Sequence, residues 1–120
     1  MTDVLAIGAH PDDVDFCLGG ILAKLADYGY SIAIVDMTTG QKGTNGTSLI
    51  RKKEGKRAAS IIGAKRYFLD FEDGALQDTP QARIAVGTIM RKLKPTLVFA
   101  PVWKGEVSHP DHLAAGTIAR

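Results

Sequence analysis

Hydrophobic residues gather in four short runs along the chain, and between the runs they recur at helical spacing. Val4 to Ile7 and Ile32 to Met37 are apolar with little alternation, the pattern of strands buried on both faces, and the apolar run Leu97 to Val102 marks another strand. Arg66 to Phe71 alternates into a further strand, followed by a turn at Glu72-Asp73-Gly74. From Phe16 to Tyr28, the residues Leu18, Ile21, Leu22, Leu25 and Tyr28 predict an amphipathic helix ended by Gly29. Ser48 is placed to cap a second helix running to Ile62 and stopped by Gly63. Ala82 to Leu93 reads as a third, with Ile84, Ile89, Met90 and Leu93 toward the core and an end before Pro95. Leu113 to Arg120 reads as the opening of a fourth helix.

Strands alternating with helices predict right-handed βαβ units, hence an α/β, Rossmann-like three-layer sandwich with a mainly parallel sheet. In the doubly wound strand order 3-2-1-4, the first and fourth strands are neighbours at the switch point where such sheets bind ligands. At 120 residues the chain is long enough for one domain, residues 1–120. The unfinished helical pattern at its end leads us to expect the N-terminal portion of a longer catalytic domain.

Composition narrows the class. Hydrophobic residues make up 45% and charged residues 23%, with a mean hydropathy near zero, as in a globular protein able to build a core. A net charge of +2 gives no reason to expect nucleic acid, and no run approaches membrane-spanning length. The lone Cys17 excludes an intrachain disulfide, fits a reducing cytoplasm and is expected to pack as a small apolar residue.

Candidate chemistry is concentrated in two places. Ala9-His10-Pro11-Asp12-Asp13 follows the first strand, Ser108-His109-Pro110-Asp111-His112 follows the fourth, and together they hold all three histidines. Imidazoles and carboxylates form a hard-to-borderline ligand set suited to zinc or another divalent metal. An open catalytic metal site needs about three protein ligands. His10, Asp13 and His112 can supply them, which leaves Asp12 to steer a proton from water and a second histidine, with Asp111 orienting it, to face an oxyanion. Those parts describe metal-assisted hydrolysis of an amide or ester.

Two other features bear on a ligand. Residues 38–47, rich in Gly, Thr and Asn, read as a flexible loop that closes over one. On a helical wheel Arg51 shares the packed stripe of Gly55, Ala58 and Ile62, whereas Lys52, Lys53, Lys56 and Arg57 form a solvated face. Arg51 therefore needs an anionic or polar partner, either a ligand or an internal ion pair. Asp15 falls near a helix N-terminus, where the dipole favours its charge.

Gly8-Ala9-His10-Pro11-Asp12-Asp13 together with His109-Pro110-Asp111-His112 resembles the LmbE-like superfamily of zinc-dependent N-acetylglucosaminyl de-N-acetylases. That superfamily includes enzymes of GlcNAc-phosphatidylinositol, mycothiol and bacillithiol synthesis. The likeness extends through the Gly/Thr-rich loop and Arg51-Lys52-Lys53-Glu54, and the Asp12-to-Asp15 run is similar to the bacillithiol-type branch. Asp15 stands where many relatives have Glu. The resemblance implies one Zn2+ on His10, Asp13 and His112, Asp12 as general base, and His109 as oxyanion-stabilising acid with Asp111 as its partner. It also implies Arg51 as a sugar contact, a small-molecule N-acetylglucosaminyl substrate such as GlcNAc-malate, and a homo-oligomer. The competing expectation is a nucleotide-binding or regulatory module with a structural metal. The first strand-helix turn argues against it, because G-x-G-x-x-G is absent there.

Overall fold

The computed structural model describes residues 1–42, 47–105 and 108–120. In chain order the elements are β1 (Val4–Gly8), α1 (Asp13–Asp27), β2 (Ile32–Thr38), α2 (Ser48–Ile62), β3 (Ala64–Phe71), α3 (Pro80–Leu93), β4 (Leu97–Phe99) and α4 (Pro110–Ala119). The strands pair in parallel in the order β3-β2-β1-β4, as the sequence predicts. Val4 aligns with Ile32 on one side and Leu97 on the other, so β1 lies between β2 and β4.

The two central strands are buried throughout, and alternate side chains enter different cores. Leu5, Ile7, Ala33, Val35 and Met37 pack with Ala82 and Val86 of α3 and with Ala115 and Ile118 of α4. Val4, Ala6, Ile32 and Ile34 pack on the opposite face with Val14 and Leu22 of α1. Helices therefore cover both faces, and each strand delivers its carboxyl end to the same edge of the sandwich.

Several element boundaries differ from those expected. Helix α1 begins at Asp13 rather than Phe16, because acidic Asp13 and Asp15 occupy a first turn that hydrophobic spacing does not mark. Its contact stripe is consequently phased from Val14 through Leu18, Leu22, Leu25 and Ala26, which leaves Ile21 and Tyr28 largely exposed. Phe16 is 92% exposed, and Cys17 is also exposed rather than packed. In α3 the same happens to Ile84, whereas Ala82, Val86 and Leu93 are buried.

Helix α2 is capped by Thr47, whose hydroxyl accepts the Ile50 N–H, and not by Ser48. The Ser48 hydroxyl instead donates to Thr39 Oγ1 at 2.9 Å, tying α2 to the end of β2. Gly63 closes the helix at φ +86°, a conformation that favours glycine. Strand β4 ends at Phe99, short of the expected Val102, just before Pro101, which has no N–H to offer a ladder. The expected closing loop falls partly on residues 43–46, and the connection into the second histidine cluster partly on residues 106–107; both pieces lie outside the described residues. No helix among the described residues is long and apolar enough to cross a membrane.

Candidate active site

The β1–α1 turn is built to present its side chains. Thr38 donates both its N–H and its hydroxyl to Ala9 O at 2.9 Å, anchoring the turn to β2. The His10 N–H donates to Asp13 Oδ2 at 2.8 Å, folding the Asp13 carboxylate back over the turn. Asp12 is the N-cap of α1, yet its side chain makes no capping bond and is 72% exposed. Its carboxylate is thereby left free for other work.

Helix α4 presents the second cluster. Its N-cap is His109, whose Nδ1 accepts the Asp111 N–H at 3.0 Å. Gly116 allows α4 to approach the chain that follows β4, since a Cβ there would collide with the backbone of Pro101 and Val102. This approach brings His112 across to β1.

The two clusters meet. His112 Nε2 lies 3.1 Å and His10 Nδ1 3.3 Å from Asp13 Oδ2. The three imidazole centroids are 5.0, 5.2 and 5.3 Å apart. Donor atoms of His10, Asp13 and His112 lie within 4.8 Å of one another, as do those of His10, His109 and Asp111. Electrostatics favour a cation here. Asp13 foremost, then Asp111, against the opposing effect of burial, pushes the His10 imidazole up to about 9. Burial opposes ionisation of Asp13, but the hydrogen bonds from His10 hold its carboxyl below the usual range. Surroundings that retain an imidazolium so strongly are chemically matched to a divalent ion on two imidazoles and a carboxylate.

The Asp111 carboxylate is 1% exposed and is engaged elsewhere than expected. It accepts N–H groups from Gly74 and Leu76 at 2.8 and 3.1 Å and sits 2.8 Å from His10 Nε2. Contact with His109 runs through the Asp111 backbone N–H, so the acid orients His10 while its main chain orients His109. Burial raises the Asp111 carboxyl, yet those donors bring it below its ordinary value.

Two sets of residues escaped the sequence reading. Asp73, read only as part of a turn, lies 3.1 Å from His10 Nε2 and accepts the Lys42 N–H at 2.8 Å. Arg66, read as a strand residue, is 1% exposed and pairs with Asp36 and Asp15. Burial pushes Asp36 up, to about 6, against the pull of Arg66. The pairing of Asp15 with Arg66 adds a specific partner to its favourable place at the helix N-terminus. No hydrophobic periodicity marks such contacts.

An open basin of about 390 Å³ lies over the cluster, lined by Asp12, Asp13, Arg51, Asp73 and His109 among others. Arg51 Nη2 is 3.4 Å from Asp12 Oδ1, so the internal ion pair exists and both partners face the basin. Arg51 Nε is buried over Gly40 with no hydrogen-bond partner among the described residues. On the other side of Asp13 and His112 lies an apolar pocket of about 270 Å³, bounded by Val14, Leu18 and Phe99.

Fold and site together define a Rossmann-like α/β unit with a His-Asp cluster at the switch point of its sheet. Residues 5–120 match the family described as PIG-L, GlcNAc-PI de-N-acetylase, and the chain belongs to that family. It is 38% identical to the diacetylchitobiose deacetylase of Thermococcus kodakarensis over 94% of this chain and 46% of that protein. It is 30% identical to a probable N-acetyl-alpha-D-glucosaminyl L-malate deacetylase 2 of Bacillus anthracis, over 94% of this chain and 55% of that one. The crystal structure of the conserved protein TT1542 from Thermus thermophilus superposes with a TM-score of 0.91 at 41% identity, covering 99% of this chain and 54% of that one. The chain thus spans about half the length of the relatives it matches.

Proposed function

We propose that this chain carries the site of a zinc-dependent hydrolase that removes the acetyl group from an N-acetylglucosamine-containing substrate, giving a free amine and acetate. The observation that carries the reading is the convergence of His10 and Asp13 with His112, beside a basin that Asp12 and His109 both line. Family membership supports the substrate class.

His10, Asp13 and His112 would hold the metal. A divalent cation there would supply positive charge to polarise an amide carbonyl and acidify water. Asp12, uncommitted to capping, accepts the proton of the attacking water. Because His109 Nδ1 accepts the Asp111 N–H, a neutral His109 ring carries its proton on Nε2, where it donates to the oxygen that becomes negative. Asp12 then returns its proton to the leaving nitrogen as the C–N bond breaks. Asp111 holds His10 by its ring Nε2 and so fixes which nitrogen is left for the metal. The unsatisfied Arg51 Nε supports a role for that side chain in holding a sugar hydroxyl.

Two forms of substrate fit this reading, the GlcNAc-malate of bacillithiol synthesis and an N-acetylated disaccharide. The higher identity to the Thermococcus protein favours the disaccharide. An exposed, unpaired Cys17 supports a reducing compartment, the cytoplasm. Amine release measured in parallel on N,N'-diacetylchitobiose and GlcNAc-malate tests the proposal, with added zinc and with a chelator. Zinc-dependent release from either substrate is expected. Release that persists undiminished in chelator would contradict the metal's role, and no release from either would contradict the deacetylase reading.

A further inference from the structure

Arg66 enters β3 beneath the site and spends every donor it has. Its Nε and Nη2 hold Asp36 at 2.5 and 3.0 Å, Nη1 holds Asp15 at 2.8 Å and Gly55 O at 3.1 Å, and Nη2 also reaches Pro11 O at 2.7 Å. Five N–H groups therefore meet two carboxylates and two carbonyls, the full capacity of a guanidinium. Those partners come from the β1–α1 turn, α1, β2 and α2. Few side chains could join so many elements.

Two of the partners matter for the chemistry. The Pro11 carbonyl belongs to the peptide unit that leads into Asp12, so fixing it fixes the plane from which the Asp12 side chain departs. Gly55 lies one turn from Arg51 on the same face of α2. A Cβ at Gly55 would press on Arg66 Cζ and Nε, both at 3.3 Å, so the helix rests directly on the guanidinium. One buried side chain thus sets the height of both members of the Asp12–Arg51 pair across the basin.

We propose that Arg66 is a positioning residue for the reaction, holding Asp12 through the Pro11 carbonyl and Arg51 through Gly55. The inference rests on the hydrolase reading for its kinetic consequence, and on the geometry alone for its structural one. The metal ligand Asp13 has its own anchor in the His10 N–H, so metal retention does not depend on Arg66.

The test compares wild type, Arg66→Lys and Val86→Ala, the last a core truncation in α3 remote from the site. Lysine keeps the charge but lacks the planar fork that grips Asp36 while reaching Pro11 and Gly55. Backbone hydrogen exchange over residues 9–16 is expected to be faster in Arg66→Lys than in Val86→Ala. With the acetylated sugar, kcat should fall about 100-fold and KM should rise, as for a misplacement near 1 Å. General destabilisation lowers the folded fraction and leaves KM unchanged, as expected of Val86→Ala. If Arg66→Lys fails to fold, Gly55→Ala displaces the guanidinium more gently, and the same ordering is expected. Exchange over 9–16 no faster than in Val86→Ala, or faster exchange with unchanged kcat and KM, overturns the proposal. An inactive wild type counts against the hydrolase reading only, and the exchange comparison still decides the positioning role.

Discussion

His112 Nε2 stands 3.1 Å from Asp13 Oδ2, a contact between the first turn of α4 and the turn that follows β1. Parallel pairing of β4 with β1 makes it possible, because both turns then leave the same edge of the sheet. On the proposed ligand set, His112→Ala removes one of three metal donors. Zinc content near one per chain is expected in wild type, with loss of most bound metal in the variant while the circular dichroism spectrum is kept. Full zinc retention would remove His112 from the ligand set.

His10 links pH to stability in the chelated protein. Its folded-state value, about 9, lies above the ordinary value near 6.5. The proton is thus bound more tightly in the folded chain, so the stabilisation is complete below about pH 6.5 and is lost as pH rises toward 9. The melting temperature in chelator should fall across that window, and His10→Gln should flatten the dependence.

Asp111→Asn tests the buried acceptor. An amide NH2 would face either the Gly74 N–H together with His10 Nε2 or the Leu76 N–H, leaving a buried donor opposite another donor. A loss of about 1–3 kcal/mol is expected in urea unfolding. Unchanged stability would mean that the carboxylate is not the hub described here.

Gly116→Ala tests the approach of α4. The new methyl would collide with the Pro101 and Val102 backbone and push the helix outward. Overpacking of this kind costs about 1–3 kcal/mol, and His112 should move with the helix, weakening zinc binding in titration. Retained stability and affinity would show that the contact relaxes freely.

The strand order and the meeting of the two clusters were legible because apolar runs mark strands, and because topology places strands one and four side by side. Helix phase was less legible. The acidic first turn of α1 hid its start at Asp13, Ile21 and Tyr28 were assigned to a stripe they do not share, and Cys17 is exposed where packing was expected. Charged contacts were the least legible. Arg66 and Asp36 are separated by a whole helix and meet only because β2 and β3 are adjacent, and Asp73 reaches His10 from a turn with no periodic signature. Long-range polar pairing leaves no local pattern to read.

The central claim is that Asp12 performs proton transfer beside a metal that other residues hold. The most direct measurement is amine release from N,N'-diacetylchitobiose and GlcNAc-malate by zinc-loaded wild type and Asp12→Ala, with metal content determined on the same samples. The account predicts equal zinc in both proteins and a fall in kcat of about 10²–10⁴-fold in the variant. Equal zinc with undiminished turnover would contradict it.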